Sequence, residues 1–93
     1  MGFTKEDVTA AAKQDLADRL GVSEESVEEL SVTGKDFPDM SLGAPAADDE
    51  MSAQMIATGW EIKLSAEGKT YEYRGDKYQL RLVDFDGRNY VIK

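Results

Sequence analysis

The chain has no cysteine and no histidine among its 93 residues. Without cysteine there is no disulfide, no thiolate metal site and no thiol nucleophile, and the redox compartment stays open. Without histidine the commonest general base and the commonest transition-metal ligand are missing. Positive charge is also scarce. Eleven Lys and Arg face nineteen Asp and Glu, for a net charge of −8. The deficit is uneven, because residues 1–52 hold four basic and thirteen acidic side chains and come to −9. A phosphate-binding surface needs a basic footprint, so nucleic acid is not an expected partner, nor is an anionic membrane surface. No apolar run approaches the roughly 18–20 residues of a membrane span. Residues 1–25 lack the basic stretch and apolar run of a signal peptide, so a soluble chain is expected, with its compartment left open. Only two prolines occur, Pro38 and Pro45, and both fall in one short segment.

What is present is periodic. Thr4 suits a helix N-cap, Asp7 stands at the third helical position, and Phe3 and Val8 have hydrophobic-staple spacing. Val8, Ala11, Ala12, Leu16 and Leu20 form one apolar stripe at steps of three and four. Gly21 then offers a left-handed C-terminal stop. The spacing predicts a helix from Lys5 to Leu20, with a single turn after Ser23.

The period then becomes two. Leu30 and Val32 alternate with Ser31 and Thr33, predicting a strand over residues 27–36. Further on, Trp60, Ile62, Leu64 and Ala66 share one face, as do Tyr71 and Tyr73, and Tyr78, Leu80 and Leu82. Glu67-Gly68, Gly75-Asp76 and Asp86-Gly87 read as turns between these runs, and Asn89–Lys93 closes as a short strand. Strands joined by such short turns are antiparallel neighbours. The expected fold is α+β in a single domain over residues 1–93: one N-terminal helix packed on an antiparallel meander of four to five strands. Lys63, Thr70, Glu72, Arg74, Gln79 and Arg81 should form a solvated outer face.

Between these elements lies an irregular segment over residues 37–52, longer than compact domains usually allow without a reason. Its first half, F-P-D-M-S-L-G-A-P, has apolar residues to bury. Asp39 and Ser41 are suited to local turns, and Gly43 to positive φ. This half is either a flap that completes the core or a recognition loop on a rigid scaffold. Asp48, Asp49 and Glu50 are consecutive and lack the alternate spacing of a calcium loop, which points to a mobile tip rather than a cation site.

Three stretches carry a resemblance: "DLADRLGVSEESVEELSV", "FPDMSLGAP" and "AQMIATGWEIKLSAEGKTYEYR". Together they resemble a family of small prokaryotic proteins and lipoprotein domains of unknown function. The shared pattern is a helix ending in R-L-G, then [WF]-P-D-x-S-L-G-C-P, then a Q-x-I-x-x-G-[YW] strand and a Y-x-Y strand. The likeness covers residues 15–74 and rests on Phe37, Pro38, Asp39, Ser41, Leu42, Gly43 and Pro45, then on Gln54, Ile56, Gly59, Trp60, Tyr71 and Tyr73. This chain has Ala44 where relatives carry cysteine, so chemistry that depends on that thiol is absent. The order of elements is also similar in topology to PepSY and cystatin-like folds.

Catalysis is not expected. No histidine activates a serine, no glycine-rich phosphate loop occurs, and so short a chain gives little wall for a sugar cleft around paired carboxylates. No cofactor or metal is expected. The expected role is a non-catalytic protein- or peptide-binding module, monomeric rather than dimeric, with Phe37, Asp39, Ser41, Leu42, Gly43 and Pro45 as the binding element. The alternative is a cystatin-like protease inhibitor that uses this loop or a hairpin tip as a wedge. Trp60, Tyr71, Tyr73, Tyr78 and Tyr90 are either core or a binding platform.

Overall fold

The computed structural model describes residues 2–46 and 53–93. The helix α1 runs Lys5–Leu20 and is followed by a 3-10 turn at Glu24–Ser26. The strands are β1 (Glu28–Phe37), β2 (Ala57–Ala66), β3 (Lys69–Gly75), β4 (Leu80–Phe85) and β5 (Arg88–Val91). They form one antiparallel sheet in sequence order, β1-β2-β3-β4-β5.

Both ends of α1 are fixed by local chemistry. Asp7 N donates to Thr4 Oγ1 at 3.1 Å while Thr4 N donates to Asp7 Oδ2 at 2.9 Å, which satisfies two otherwise free amides. Gly21 takes φ 69°, and Val22 N returns to the Ala17 carbonyl at 3.0 Å. The hairpin turns are left-handed at both central residues: Glu67 and Gly68 at φ 53° and 79°, Asp86 and Gly87 at 53° and 81°. Turns of this twist match the twist of the strands they join.

Val8, Ala12, Leu16 and Ala17 of α1 are buried against Ile62, Leu64 and Ala66 of β2, Tyr73 of β3, and Leu80 and Leu82 of β4. Each large aliphatic side chain buried here contributes about 1.5–3 kcal/mol. One polar bond ties the two layers. The Tyr73 hydroxyl donates to Asp15 Oδ2 at 2.7 Å, and Arg19 Nε donates to the same oxygen at 2.7 Å. The Arg19 guanidinium in turn lies 4.7 Å from the Tyr90 ring centroid and 5.7 Å from that of Phe85.

Helix, sheet and meander stand as the periodicity predicts, with three differences. β1 covers Glu28–Phe37 and contains a bulge at Leu30, since Glu29 pairs with Leu64 and Ser31 with Lys63. β4 begins only at Leu80, because the Asp76 carboxylate accepts from Tyr78 N at 2.8 Å and Gln79 N at 3.0 Å and holds a turn there. Tyr78 is therefore exposed instead of sharing the core face with Leu80 and Leu82. Finally, the outer face is not uniformly solvated. Arg81 is 6 % exposed, because part of the irregular segment lies over it.

Candidate functional site

The segment after β1 is held by one carboxylate. Asp39 Oδ1 accepts from Ser41 Oγ at 2.6 Å, Ser41 N at 3.0 Å and Gly43 N at 3.1 Å. Bonds from the Ser41 hydroxyl and then the Gly43 amide outweigh lost hydration and hold the Asp39 carboxyl below its ordinary 3.8. Two backbone turns follow, Leu42 N to Asp39 O at 3.1 Å and Ala44 N to Ser41 O at 3.0 Å. Leu42 and Gly43 both take positive φ, 59° and 65°. For leucine that conformation is strained, and burial of its side chain offsets the strain.

The coil turns its carbonyls to the sheet. Met40 O accepts from Gln79 Nε2 at 2.5 Å, Leu42 O from Arg74 Nη1 at 2.8 Å, Ala44 O from Arg81 Nη1 at 3.0 Å, and Pro45 O from Asn89 Nδ2 at 3.0 Å. The outer-face polar residues of β4 and its neighbours thus serve as hooks for this segment. Glu72 orients the hook from β3, accepting from Arg74 Nε at 2.6 Å and Lys63 Nζ at 3.0 Å. Burial works against the Glu72 charge, but these two cations prevail and hold its carboxyl below the ordinary value. Phe37, Leu42 and Ala57 close a second small apolar cluster on this face, with the Arg74 guanidinium 5.5 Å from the Phe37 ring centroid.

The structure brings the six sequence-derived binding residues into one unit and divides their exposure. Phe37, Ser41 and Leu42 are buried, Asp39 is half-buried, and Gly43 and Pro45 are exposed. Phe37 and Leu42 pack with Ala57 of β2, and Ser41 bonds to Asp39 within the loop. The Asp48-Asp49-Glu50 run lies outside the described residues. Among the described residues, no group of three acidic side chains is spaced to hold a metal ion.

Beside this loop is an open cleft of about 590 Å³ at the ends of β1 and β2. Register places Gly34 opposite Trp60 and Asp36 opposite Thr58, on the face that carries Ile62. Met40, Ile56, Asp76, Lys77 and Tyr78 also line the cleft. Ile56 and Tyr78 are each 72 % exposed and the neighbouring Met55 is 64 % exposed, a grouping unusual for apolar side chains of this size. The charged groups at the cleft are mostly engaged: Lys35 with Glu61 at 2.9 Å, Asp36 with the Thr58 hydroxyl at 2.9 Å, and Asp76 with two backbone amides.

Gly34 was not singled out by the sequence, and neither were Met55 and Ile56 as a contact surface. The available signals were a glycine interrupting an alternating strand and an Ile56 with no place in the following alternation. Of the aromatic residues, Tyr73 is core and Tyr71 and Tyr90 pack on Phe85. Only Trp60 and Tyr78 reach the cleft.

Among the described residues, no helix is long and apolar enough to cross a membrane. The sequence model of a family described as a domain of unknown function, DUF8738, matches residues 9–83. The chain belongs to that family. No curated protein and no solved structure matches it significantly.

Proposed function

For a domain of this family, we propose a non-catalytic protein- or peptide-binding module whose contact surface is the cleft between the ends of β1 and β2 and the turn over residues 75–78. The 37–45 loop forms one wall of that surface, through Met40, rather than the anchor pocket itself. In this reading the F-P-D-M-S-L-G-A-P stretch is the family's structural signature, and the likeness to PepSY and cystatin-like folds is one of topology alone.

The observation that carries the reading is Gly34. Its φ is not positive, and a Cβ built there meets nothing within 4 Å. The chain's other glycines take positive φ or sit where a Cβ would crowd a neighbour. A glycine inside a strand weakens it, so this one needs another reason. Its missing side chain leaves open space opposite Trp60, at the lining of the cleft.

The test is a displayed peptide library selected on the wild-type domain and re-measured on Gly34→Val. The variant sets a branched side chain at the cleft lining, where a Cβ meets nothing within 4 Å. Selected peptides should carry an apolar anchor and lose about tenfold or more in affinity, roughly 1.4 kcal/mol or above, while the unfolding midpoint holds or rises. Equal affinity for the two proteins would sink the reading. Protease inhibition is the weaker alternative. Two hairpin tips, Glu67-Gly68 and Asp86-Gly87, are polar, and the loop directs Phe37 and Leu42 inward, which leaves Tyr78 on the β3–β4 connection as the apolar group a wedge would use. Full activity of a panel of cysteine and serine proteases at micromolar domain would end that alternative.

A further inference from the structure

We propose that the free edge of β1 takes an extended, cationic peptide segment as a sixth strand, paired along residues 31–36 and leading an apolar side chain into the cleft. This inference rests on the binding-module reading and names the partner's chemistry and backbone conformation.

The edge itself is the first observation. β1 is ten residues long, longer than an average strand, and it ends the sheet order, pairing among the described residues with β2 alone. Alternate residues of an edge strand direct their amides and carbonyls away from the sheet, ready for another strand. Exposure runs along almost the whole of β1, with only Val32 half-buried and Phe37 buried. Edges are normally blunted by charge or bulges. Here those devices sit towards the two ends: the bulge at Leu30 with Glu28 and Glu29, and the Lys35-Asp36 pair. Ser31, Val32, Thr33 and Gly34 between them are uncharged, regular and open.

The second observation is charge. Residues 22–36 carry five carboxylates, Glu24, Glu25, Glu28, Glu29 and Asp36, against one lysine. That lysine is already paired with Glu61, and Lys13 of the helix pairs with Glu29 at 3.3 Å. The edge is therefore complementary to a basic strand. It is not complementary to a second copy, since each copy carries −8 and would bring Glu24, Glu25 and Glu28 to the same acidic edge. The third observation is continuity. Gly34, Lys35 and Asp36 belong both to the open edge and to the cleft lining, so a strand laid on residues 31–36 passes the cleft. Main-chain bonds would supply pairing and the cleft would supply side-chain choice, the usual division in strand addition.

The probe is a capped synthetic peptide that alternates lysine with valine. Its controls are the glutamate-for-lysine peptide and the same lysine peptide N-methylated at every second backbone nitrogen. Residue-resolved amide exchange on the full chain is the readout, with Trp60 fluorescence reporting the cleft. We expect alternate amides within residues 31–36 to slow by about tenfold or more at saturation, with neither control producing the effect. Glu28→Gln and Asp36→Asn should each weaken the lysine peptide by about two- to fivefold, the range for an exposed ion pair.

A Trp60 response without β1 protection, or equal binding of the N-methylated or glutamate peptide, overturns strand addition and leaves the cleft reading standing. No response to the lysine peptide at millimolar concentration also overturns it, and the displayed library then judges the cleft separately. Protection of the same amides without peptide, accompanied by a dimer in sedimentation, assigns the edge to self-association and likewise overturns the proposal.

Discussion

Asp15 in α1 and Tyr73 in β3 stand 58 residues apart in sequence and meet at 2.7 Å, the tyrosine donating and the carboxylate accepting. The bond fixes where along the sheet the helix sits, because Tyr73 is fully buried and pairs with Ile62 and Leu82 on either side. Burial, then the bond to Asp15, push the Tyr73 hydroxyl above its usual value, so it remains a donor throughout the physiological range.

Tyr73→Phe keeps the ring and removes only the donor. Asp15 keeps its partner Arg19, so the loss should be about 0.5–1.5 kcal/mol. Tyr73→Ala also opens the core and should cost about 3–5 kcal/mol. Urea unfolding of the pair separates the bond from the ring. Equal losses would mean that the hydroxyl, not packing, dominates.

Leu42 gives a second contrast. It is fully buried yet has φ 59°. Leu42→Ala should cost about 2–5 kcal/mol through the cavity it leaves. Leu42→Gly removes one more carbon but relieves the left-handed strain. The glycine variant is therefore expected to be as stable as the alanine variant or more so, the reverse of their usual order. Thermal unfolding of both decides it, and a markedly weaker glycine variant would contradict the strained conformation.

Acid should release the loop from its pin. The Asp39 carboxyl is held below 3.8 in the folded chain, by the Ser41 hydroxyl first and the Gly43 amide next. A depressed folded value means the contribution is fully present above the unfolded value and is lost as pH falls through the folded one. The loss therefore falls below about pH 4 and not near neutrality. A carboxyl-carbon NMR titration of Asp39, followed alongside the Ser41 and Gly43 amide shifts, should show one shared midpoint below 3.8. A midpoint at or above 3.8 would refute the pinned geometry.

Two glycines of neighbouring strands should respond oppositely. A Cβ on Gly59 would collide with the Gly75 carbonyl oxygen, in the backbone of the next strand. Gly59→Ala must separate β2 from the β3 end and is expected to cost more than about 3 kcal/mol, or to prevent folding. Gly34→Ala meets nothing and should gain up to about 1 kcal/mol. Calorimetry on the two variants checks both signs.

The helix was legible to the residue because its capping chemistry is local: Thr4, Asp7 and Gly21 declare its ends without reference to the rest of the chain. The hairpins were legible for the same reason, through Glu67-Gly68 and Asp86-Gly87. Tyr78 was misplaced because period-two alternation continues through it, while the Asp76 turn that ends the pattern depends on a side chain bonding two residues ahead. The buried Arg81 was not legible at all. Its alternation with Leu80 and Leu82 correctly puts it on the opposite face, but alternation cannot tell that a segment 37 residues earlier returns to cover that face. The cleft was hidden for a related reason. Its defining feature is a missing side chain at Gly34, whose meaning depends on what lies across the sheet.

Arg74, Arg81 and Asn89 of the sheet, with Gln79 just before β4, grip the 37–45 loop by its carbonyl oxygens, which every amino acid supplies alike. The hold is accordingly blind to which side chains the loop turns outward. A surface whose attachment and whose lettering are separate in this way can be rewritten without being unfastened. The fastening therefore makes no demand of its own on those side chains, and a substitution that keeps the backbone path leaves Arg74, Gln79, Arg81 and Asn89 with the same oxygens to hold.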